Sequence, residues 1–339
     1  MNGMCDKNHS GITVVIPTYN RAEQIVRALN SVKNQTYRPI EVVVVDDGST
    51  DKTKDIVLAW KEKNASANLS LQYSLKKNAG APAARNDGIS LAKGAFVHFL
   101  DSDDVLLENC LTLKHTEIVK SGAAFVYGFS LICDSSGQQI GIHGRDVTKN
   151  PNSAFLIPYI FNISGPLIRN NVLREIGGWD ESLCGCQEIE FFYRLKLRFG
   201  RGRCVPQALH QVNLHEGDSI SQKPSSEHSE SAFRVLQVLS TSLFDSGGRL
   251  GRDHFRNEME ALSNFATDVC LKNASTGNIG NSVVALKLAA GCSPKYFKSL
   301  VFWCFVRVAE LRPELGIYLF RCARSLVGIP GIFGKKWLK

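Results

Sequence analysis

Short apolar runs alternate with helix-like segments over the first hundred residues of this chain. The clearest runs are Ile12–Ile16, Glu41–Val45 and Phe96–Leu100, which have the length and the β-branched or aromatic content of buried strands. Helices are predicted between them, from Arg21 to about Gln35 and from Lys52 to about Lys63. Such alternation with wholly apolar strands is typical of a parallel, doubly wound α/β sheet, which binds ligands beyond the carboxyl ends of its strands.

Polar residues follow each of these runs at the point where the strand ends. They are Pro17–Asn20, Asp46–Ser49 and Asp101–Asp104, and the last segment carries three carboxylates in four residues. Like charges at the end of a buried strand repel one another unless a cation lies among them. Magnesium and similar ions favour carboxylate and phosphate oxygens. The pattern therefore predicts either a metal and phosphate site or a solvated acidic turn that caps the next helix.

The second half of the chain divides into a mixed part and a helical part. A strand at Ala123–Ile132, a long loop at Asp134–Ser153, a helix at Glu188–Phe199 and a strand at Gln207–Leu214 are predicted. Beyond about Ser221 the pattern is helical, with breaks rich in Gly and Ser. We therefore expect an α/β catalytic domain over residues 11–225 and a helical, basic and aromatic region over residues 226–339.

Cysteine usage and hydropathy favour a cytoplasmic protein. The ten cysteines among 339 residues form no regular framework, and Cys184 and Cys186 have no partners at zinc-site spacing. Residues Met1–Ser10 are polar, and no window approaches the roughly 18 uncharged apolar residues of a membrane span. The sequence thus predicts reduced thiols and no spanning helix.

The net charge of +8 is concentrated in one segment, Lys287–Lys339, here called the basic-aromatic tail. It contains ten Lys or Arg residues, two Glu residues and nine aromatic residues. Basic, aromatic and aliphatic side chains together suit an anionic membrane surface better than nucleic acid. The alternative is a helical subdomain that packs these aromatic rings on the rest of the protein.

Four sequence segments, taken in order, resemble the family 2 inverting glycosyltransferases of the GT-A fold. They are Val14-Val-Ile-Pro-Thr-Tyr-Asn-Arg21, Val42-Val-Val-Val-Asp-Asp-Gly-Ser49, Asn78-Ala-Gly with Ala84-Arg-Asn-Asp-Gly88, and Phe99-Leu-Asp-Ser-Asp-Asp104. The resemblance is dense over residues 11–105 and thinner to about residue 221. It implies a Rossmann-like α/β sheet that binds a nucleotide-diphosphate sugar, here with a C-terminal helical extension.

The resemblance assigns the donor's nucleoside to the ends of the first two strands. Pro17, Thr18 and Tyr19 match the family's loop that contacts the nucleobase, usually uracil. Asp47 matches the carboxylate that accepts a hydrogen bond from the base, and Asp46 is expected to orient the loop. An aromatic ring with free backbone groups at a strand end suits a planar base.

The resemblance assigns the diphosphate and a divalent cation, Mn²⁺ or Mg²⁺, to the next segments. Arg85 matches the arginine that contacts the donor, and a guanidinium can neutralise a diphosphate. Asp103 matches the principal metal ligand, Asp101 is expected to contact the donor sugar, the ribose or the metal, and Asp104 is expected to support the turn. His215 matches a histidine that binds the metal or the leaving diphosphate.

The catalytic base is expected at the start of a later helix, where the family has a Glu-Asp pair with an arginine seven residues after the Glu. Arg194 sets this register, so Gln187 takes the Glu position and Glu188 takes the Asp position. Glu188 is therefore the predicted base, one methylene longer than the usual Asp. Glu190 is expected to orient or assist the acceptor site.

The predicted function is transfer of a sugar from a nucleotide-diphosphate donor, with UDP preferred, to an acceptor hydroxyl with inversion. The acceptor is expected to be a saccharide or a lipid-linked saccharide in the assembly of a cell-surface polysaccharide or glycolipid. The tail would hold the enzyme on the cytoplasmic face of a membrane, and nucleic acid is not an expected partner. The alternatives are a donor-binding scaffold without catalysis, because Gln187 departs from the family, and a sugar-phosphate nucleotidyltransferase. The second would need a glycine-rich loop after the first strand, where this chain has Pro-Thr-Tyr-Asn.

Overall fold

The computed structural model of the protein describes residues 11–144, 146, 148, 162–214, 225–246 and 252–292. The described residues form two compact units, an α/β unit that ends at residue 214 and a helical unit that begins at residue 225. The first unit contains the whole sheet and six helices among the described residues.

Four parallel strands form the first half of the sheet, in the order β3-β2-β1-β4. Their bounds are Ile12–Thr18 for β1, Ile40–Asp46 for β2, Leu69–Leu75 for β3 and Phe96–Phe99 for β4. The side chains of β1 and β4 are buried along their whole length because helices cover both faces of a sheet with this connectivity. The predicted α/β fold is confirmed, and the polar ends of β1, β2 and β4 lie at one edge of the sheet.

Three helices connect these strands, α1 at Ile25–Lys33, α2 at Thr53–Asn64 and α3 at Ala81–Leu91. Helix α3 packs closely on β1, since a Cβ atom built on Gly88 would lie 2.2 Å from Cγ1 of Val15. Only glycine fits that position without moving a stiff, β-branched core side chain. This close approach fixes where the Ala-Arg-Asn segment of α3 lies against the sheet.

The second half of the sheet is mixed, beyond the four strands for which the sequence predicted parallel pairing. Strand β8 pairs antiparallel with both β4 and β6, while β9 pairs parallel with β6 and antiparallel with β5. The additional elements are β5 Val105–Leu106, α4 Cys110–Ser121, β6 Phe125–Cys133, β8 Leu167–Arg169, α5 Asn170–Ile176, α6 Gln187–Phe199 and β9 Arg203–Asn213. Strands β5 and β8 are only two and three residues long, and such runs are too short for periodicity to reveal.

The long loop predicted after Ile132 is instead part of a hairpin. Strand β7, Gln139–His143, pairs antiparallel with β6. The Asp134 carboxylate accepts hydrogen bonds from the backbone amides of Ser136 and Gln138, which closes the connecting turn. The Asp-Ser-Ser-Gly sequence that suggested a loop is the turn itself.

The helical unit contains α7 at Ser226–Ser246, α8 at Arg252–Ser275 and α9 at Ile279–Cys292. The expected C-terminal helical region is therefore present. Among the helices of the described residues, none is long and apolar enough to cross a membrane. His215 and most of the basic-aromatic tail, residues 293–339, lie outside the described residues.

Candidate functional site

The carboxyl ends of β1 and β2 lie side by side, because Thr18 and Asp46 are register partners. Pro17 pairs with Val45 in the same ladder, and Tyr19 follows with 45% of its surface exposed. Thr18 is 4% exposed, and its Oγ1 atom has no hydrogen-bond partner within the described part of the chain. A buried hydroxyl without a partner, beside an exposed aromatic ring, suits a polar planar ligand at this edge.

Asp46 is fully buried and orients the loop that follows β2. Its Oδ1 accepts a hydrogen bond of 2.7 Å from the backbone amide of Ser49, and its Oδ2 accepts one of 2.6 Å from the hydroxyl of Tyr73. Burial, and then the hydrogen bond to Asp46, raise the pKa of Tyr73, so its hydroxyl remains a donor at neutral pH. The role expected for Asp46 is consistent with these contacts.

Asp47 joins the loop after β2 to the start of α3. Its Oδ1 accepts from the backbone amide of Ala79 at 2.9 Å, and its Oδ2 accepts from that of Gly80 at 2.8 Å. The Asp47 amide in turn donates to the carbonyl of Thr18 at 2.8 Å. Because a carboxylate has about four lone-pair sites, Asp47 keeps capacity to accept from a ligand.

Arg85 links the end of β4 to the start of α6. Its Nη2 atom lies 2.9 Å from Oδ1 of Asp101, and its Nη1 donates to Oε1 of Gln187 at 3.0 Å. The guanidinium also lies over the ring of Trp179, 4.9 Å from the ring centroid. Arg85 is 4% exposed, and its Nε atom has no partner among the described residues. Arg85, which was predicted to contact the donor, therefore lies against the start of the helix that carries the predicted base.

Asp103 forms an ion pair with an arginine that the sequence did not single out. Nη2 of Arg21 lies 3.7 Å from Oδ2 of Asp103, and both side chains are 24% exposed. The carbonyl of Asp103 accepts a 2.7 Å hydrogen bond from Nδ2 of Asn213, the last residue of β9. The end of β9, two residues before His215, is thus tied to the acidic turn.

Asp104 is the buried support of the same turn. Its Oδ2 accepts a 2.7 Å hydrogen bond from the hydroxyl of Ser164, and its amide donates to the carbonyl of Asp101. Burial raises the pKa of Asp104 well above its usual value, and the nearby charges of Asp101 and Asp103 raise it further. A buried carboxyl with these contacts suits the supporting role expected of it.

The predicted base, Glu188, lies partly buried in the first turn of α6. Glu190 is instead paired with Arg194 one turn later, and Nη2 of that arginine donates to Oε2 of Glu190 at 2.9 Å. The same guanidinium donates to the carbonyls of Ile176 and Gly178. Glu190 and Arg194 therefore fasten α6 to the Gly-Gly turn, and Glu188 stays the base predicted from the sequence register.

Asn86, beside Arg85, fixes the segment before α6 and was not predicted from the sequence. Its side chain accepts from the amide of Trp179 at 2.7 Å and donates to the carbonyl of the same residue at 2.9 Å. The Trp179 ring stacks on Phe191 of α6, with centroids 4.0 Å apart and planes 4° apart. Asn86 directly follows Arg85 in the segment that resembles the family, which could have drawn attention to it. Its partner, Trp179, lies 93 residues away, so the sequence alone does not indicate the contact.

Whether the described side chains could hold a divalent cation depends on their arrangement. No group of three or more His, Cys, Asp or Glu side chains there is arranged to hold a metal ion. Asp101 and Asp103 still offer the carboxylate oxygens that Mg²⁺ and Mn²⁺ favour, and such ions are often held by one or two carboxylates together with substrate phosphates. The residues present therefore fit a cation that a diphosphate helps to bind.

Comparison with known proteins identifies the domain. Residues 13–174 match the model of glycosyl transferase family 2. This chain carries a family 2 glycosyltransferase domain of the GT-A fold. The resemblance inferred from the four sequence segments is thus confirmed, and the match covers the strands and acidic turn of the candidate site.

Similar proteins include enzymes of known specificity. A Campylobacter jejuni protein named GalNAc(5)-diNAcBac-PP-undecaprenol beta-1,3-glucosyltransferase is 34% identical over 139 residues, which are 41% of this chain and 44% of that protein. The Staphylococcus aureus TarS 1–349 structure in complex with UDP-GlcNAc has a TM-score of 0.64 and 24% identity, and the likeness covers 94% of this chain and 89% of that chain. A mannosyltransferase from Pyrobaculum calidifontis in complex with GDP-Man and Mn²⁺ has a TM-score of 0.55 and 19% identity, over 95% of this chain and 88% of that one. The matched part of this chain spans less than half the length of the Campylobacter protein. A Rickettsia bellii glycosyltransferase is 39% identical over 103 residues, which are 30% of this chain and 14% of that protein.

Proposed function

We propose that this protein is an inverting glycosyltransferase that moves a sugar from a nucleotide-diphosphate donor, preferably a UDP-sugar, to an acceptor hydroxyl. The observation that carries the proposal is the position of Arg85, which contacts Asp101 on the donor side and Gln187 beside the candidate base. Arg85, proposed to bind the diphosphate, thus lies between Asp101 on the donor side and the start of the helix that carries the proposed base.

The donor's base is proposed to bind at the ends of β1 and β2. Tyr19 offers an exposed ring for stacking, and the buried Thr18 hydroxyl and the Asp47 carboxylate offer polar contacts. Pro17 and Asp46 shape this edge. Asp101, held by Arg85, is proposed to contact the ribose or the donor sugar, and the Arg85 charge favours a diphosphate nearby.

A divalent cation is proposed to bind at Asp103, with Asp101 or His215 as a further ligand. The position of Asn213 supports this role for His215. Asn213 precedes His215 by two residues and donates a hydrogen bond to the carbonyl of Asp103. A cation bound there would offset the negative charge that develops on the leaving diphosphate. Asp104 and Ser164 hold the turn that presents these ligands.

Glu188 is proposed to act as the general base. It takes the proton from the acceptor hydroxyl as that oxygen attacks the anomeric carbon, and the bond from that carbon to the diphosphate oxygen breaks. An α-linked donor then gives a β-linked product, and no covalent intermediate with the enzyme is needed. Glu188 lies in the first turn of α6, at the positive end of the helix dipole.

The acceptor is proposed to be a saccharide, with a lipid-linked saccharide preferred. The similarity to the Campylobacter enzyme, whose name specifies an undecaprenol-linked acceptor, supports this choice. The basic-aromatic tail would bring the enzyme to the cytoplasmic face of the membrane that carries such an acceptor. Its product would enter a polysaccharide or glycolipid.

A screen of nucleotide sugars tests the proposal. The protein should be incubated with UDP-, GDP- and dTDP-sugars with Mn²⁺ or Mg²⁺, with and without lipid-linked saccharides, and products identified by mass spectrometry. We expect acceptor-dependent turnover with a UDP-sugar, which Asp103→Ala abolishes and a chelator stops reversibly. Donor binding without turnover under any condition would favour the scaffold alternative that Gln187 motivates, and full activity in excess chelator would exclude the metal role of Asp103.

A further inference from the structure

Arg21 occupies a fixed position at the edge of the candidate site. Its backbone amide donates to Oγ1 of Thr53 at 3.0 Å, and its carbonyl accepts from the amide of Ile25 at the start of α1 at 2.9 Å. The loop that carries it follows β1, and the acidic turn follows the adjacent strand β4. The Arg21 side chain therefore crosses from one strand end to the next to reach Asp103.

The two arginines of the site are held very differently. Arg85 is 4% exposed and makes two hydrogen bonds of 2.9 and 3.0 Å with Asp101 and Gln187. Arg21 is 24% exposed, and the separation of 3.7 Å from Asp103 is longer than a hydrogen bond. A partly exposed ion pair of this length contributes little to stability, so Arg21 can leave Asp103 at small cost.

Arg21 and a metal ion compete for the same carboxylate. A guanidinium beside Asp103 repels a divalent cation and satisfies the charge that would attract it. A nucleoside diphosphate supplies phosphate oxygens to both cations, since guanidinium groups bind phosphate through paired hydrogen bonds and divalent metals bind phosphate oxygens directly.

From these contacts we propose that Arg21 binds the donor's diphosphate, and that it exchanges Asp103 for the diphosphate when a divalent cation takes Asp103. The inference rests on the proposed function and adds a diphosphate ligand to it. Without donor, Arg21 weakens metal binding at Asp103; with donor, it strengthens the complex. Metal and nucleotide therefore bind together more tightly than either binds alone.

The exchange predicts opposite effects of one substitution on two binding equilibria. In Arg21→Gln, removal of the competing charge raises the affinity for Mn²⁺ alone by about threefold to tenfold. Loss of the diphosphate contact lowers the affinity for UDP at saturating Mn²⁺ by about tenfold or more. Arg21→Lys keeps the charge but not the planar fork, so Mn²⁺ affinity stays near that of the wild type while UDP affinity falls by a smaller factor.

Titration calorimetry with Mn²⁺ alone, and then with UDP at saturating Mn²⁺, measures both effects on the full chain. Arg27→Gln is the matched control, because Arg27 is an exposed arginine of α1 and its loss changes the net charge equally. The control should match the wild type in both titrations. Thermal unfolding of each variant checks that the fold is retained.

The inference is overturned if Arg21→Gln binds UDP within twofold of the wild type, or if its Mn²⁺ and UDP affinities fall together. The second result would mean that the substitution damages the acidic turn. Failure of the proposed donor site gives a different result, since the wild type would then bind neither UDP nor another nucleoside diphosphate in the presence of Mn²⁺. Failure of catalysis alone is seen as absent turnover in the nucleotide-sugar screen and leaves both titrations unchanged.

Discussion

Substitution of Asn86 by alanine should separate the placement of the catalytic helix from donor binding. Asn86 makes two hydrogen bonds with the backbone of Trp179, which is 3% exposed, and donates a third, at 2.8 Å, to the exposed Glu181 carboxylate. An unpaired, buried donor or acceptor costs about 1–3 kcal/mol. With two backbone groups left unpaired and the exposed bond counted as near zero, Asn86→Ala should lower the free energy of unfolding by about 2–6 kcal/mol.

The catalytic effect follows from the contacts of the Trp179 ring. The ring stacks on Phe191 of α6 and lies under the guanidinium of Arg85, so a shift of Trp179 moves the helix that carries Glu188. A misplacement of about 1 Å costs on the order of 10² in rate. We therefore expect kcat to fall about 100-fold, while the affinity for UDP falls by a much smaller factor, because the proposed nucleoside contacts lie at the ends of β1 and β2 and Arg85 keeps its bond to Asp101.

The assay compares urea unfolding, UDP titration and transfer at a saturating donor concentration. Asn64→Ala is a matched control, because Asn64 also bonds the backbone of a tryptophan, donating to the Trp60 carbonyl at 2.8 Å. It lies at the end of α2, away from the acidic turn, so it should lose stability without loss of kcat. Equal kcat in the two variants would refute the positioning role, whatever their stabilities.

Three further outcomes test other parts of the structure. Glu188→Gln should cut the transfer rate by roughly 10²–10⁴ with UDP affinity retained. Glu190→Gln should mainly destabilise the fold, because it removes the charged partner of Arg194. A large loss of rate in Glu190→Gln and not in Glu188→Gln would assign the base to Glu190. Burial, and then the charge of Lys114, lower the pKa values of His98 and His210 well below 6.5 in the folded protein. As the pH falls, these two histidines therefore become protonated in the unfolded state before they do so in the folded state. Urea unfolding at a series of pH values should show stability falling as the pH drops below about 6.5, by up to about 1.4 kcal/mol per pH unit for each histidine, and an unchanged slope in the double His→Gln variant would contradict this. Finally, the full chain should float with anionic liposomes at low salt and be released at high salt, whereas a chain ending after residue 292 should not float; equal behaviour would leave the tail without a membrane role.

The first half of the sheet could be predicted from the sequence because β1, β2 and β4 are mostly apolar runs that end abruptly in polar residues. Ile12–Ile16 became β1 with two added residues, and Phe96–Leu100 became β4 with one fewer. The second half could not be predicted in the same way. Strand β8 pairs with β4 and β6 through three residues, and its place in the sheet depends on long-range contacts that leave no periodic pattern.

The candidate site divides along a similar line. The sequence indicated the residues that would face a ligand, such as Asp103, because charged groups at strand ends are costly without a partner. It did not indicate the residues that position them. Arg21 and Asn86 act across separations of 82 and up to 95 residues, and single polar residues at such distances give no local signal of their partners. Their roles became visible only through distances and burial.

Gln187 stands where the family has a glutamate, and this difference has a physical consequence for Arg85. Its amide oxygen accepts from Arg85 where the family has a carboxylate, so Arg85 faces one charged partner, Asp101, and one neutral partner. A second carboxylate at this position would cancel more of the arginine's positive charge and would repel Glu188, the adjacent residue on the first turn of α6. With glutamine, the same geometry is held by a weaker hydrogen bond, and more of the Arg85 charge remains to attract a diphosphate. The substitution therefore shifts the site toward donor binding, with Glu188 next to it as the candidate base on the first turn of the same helix.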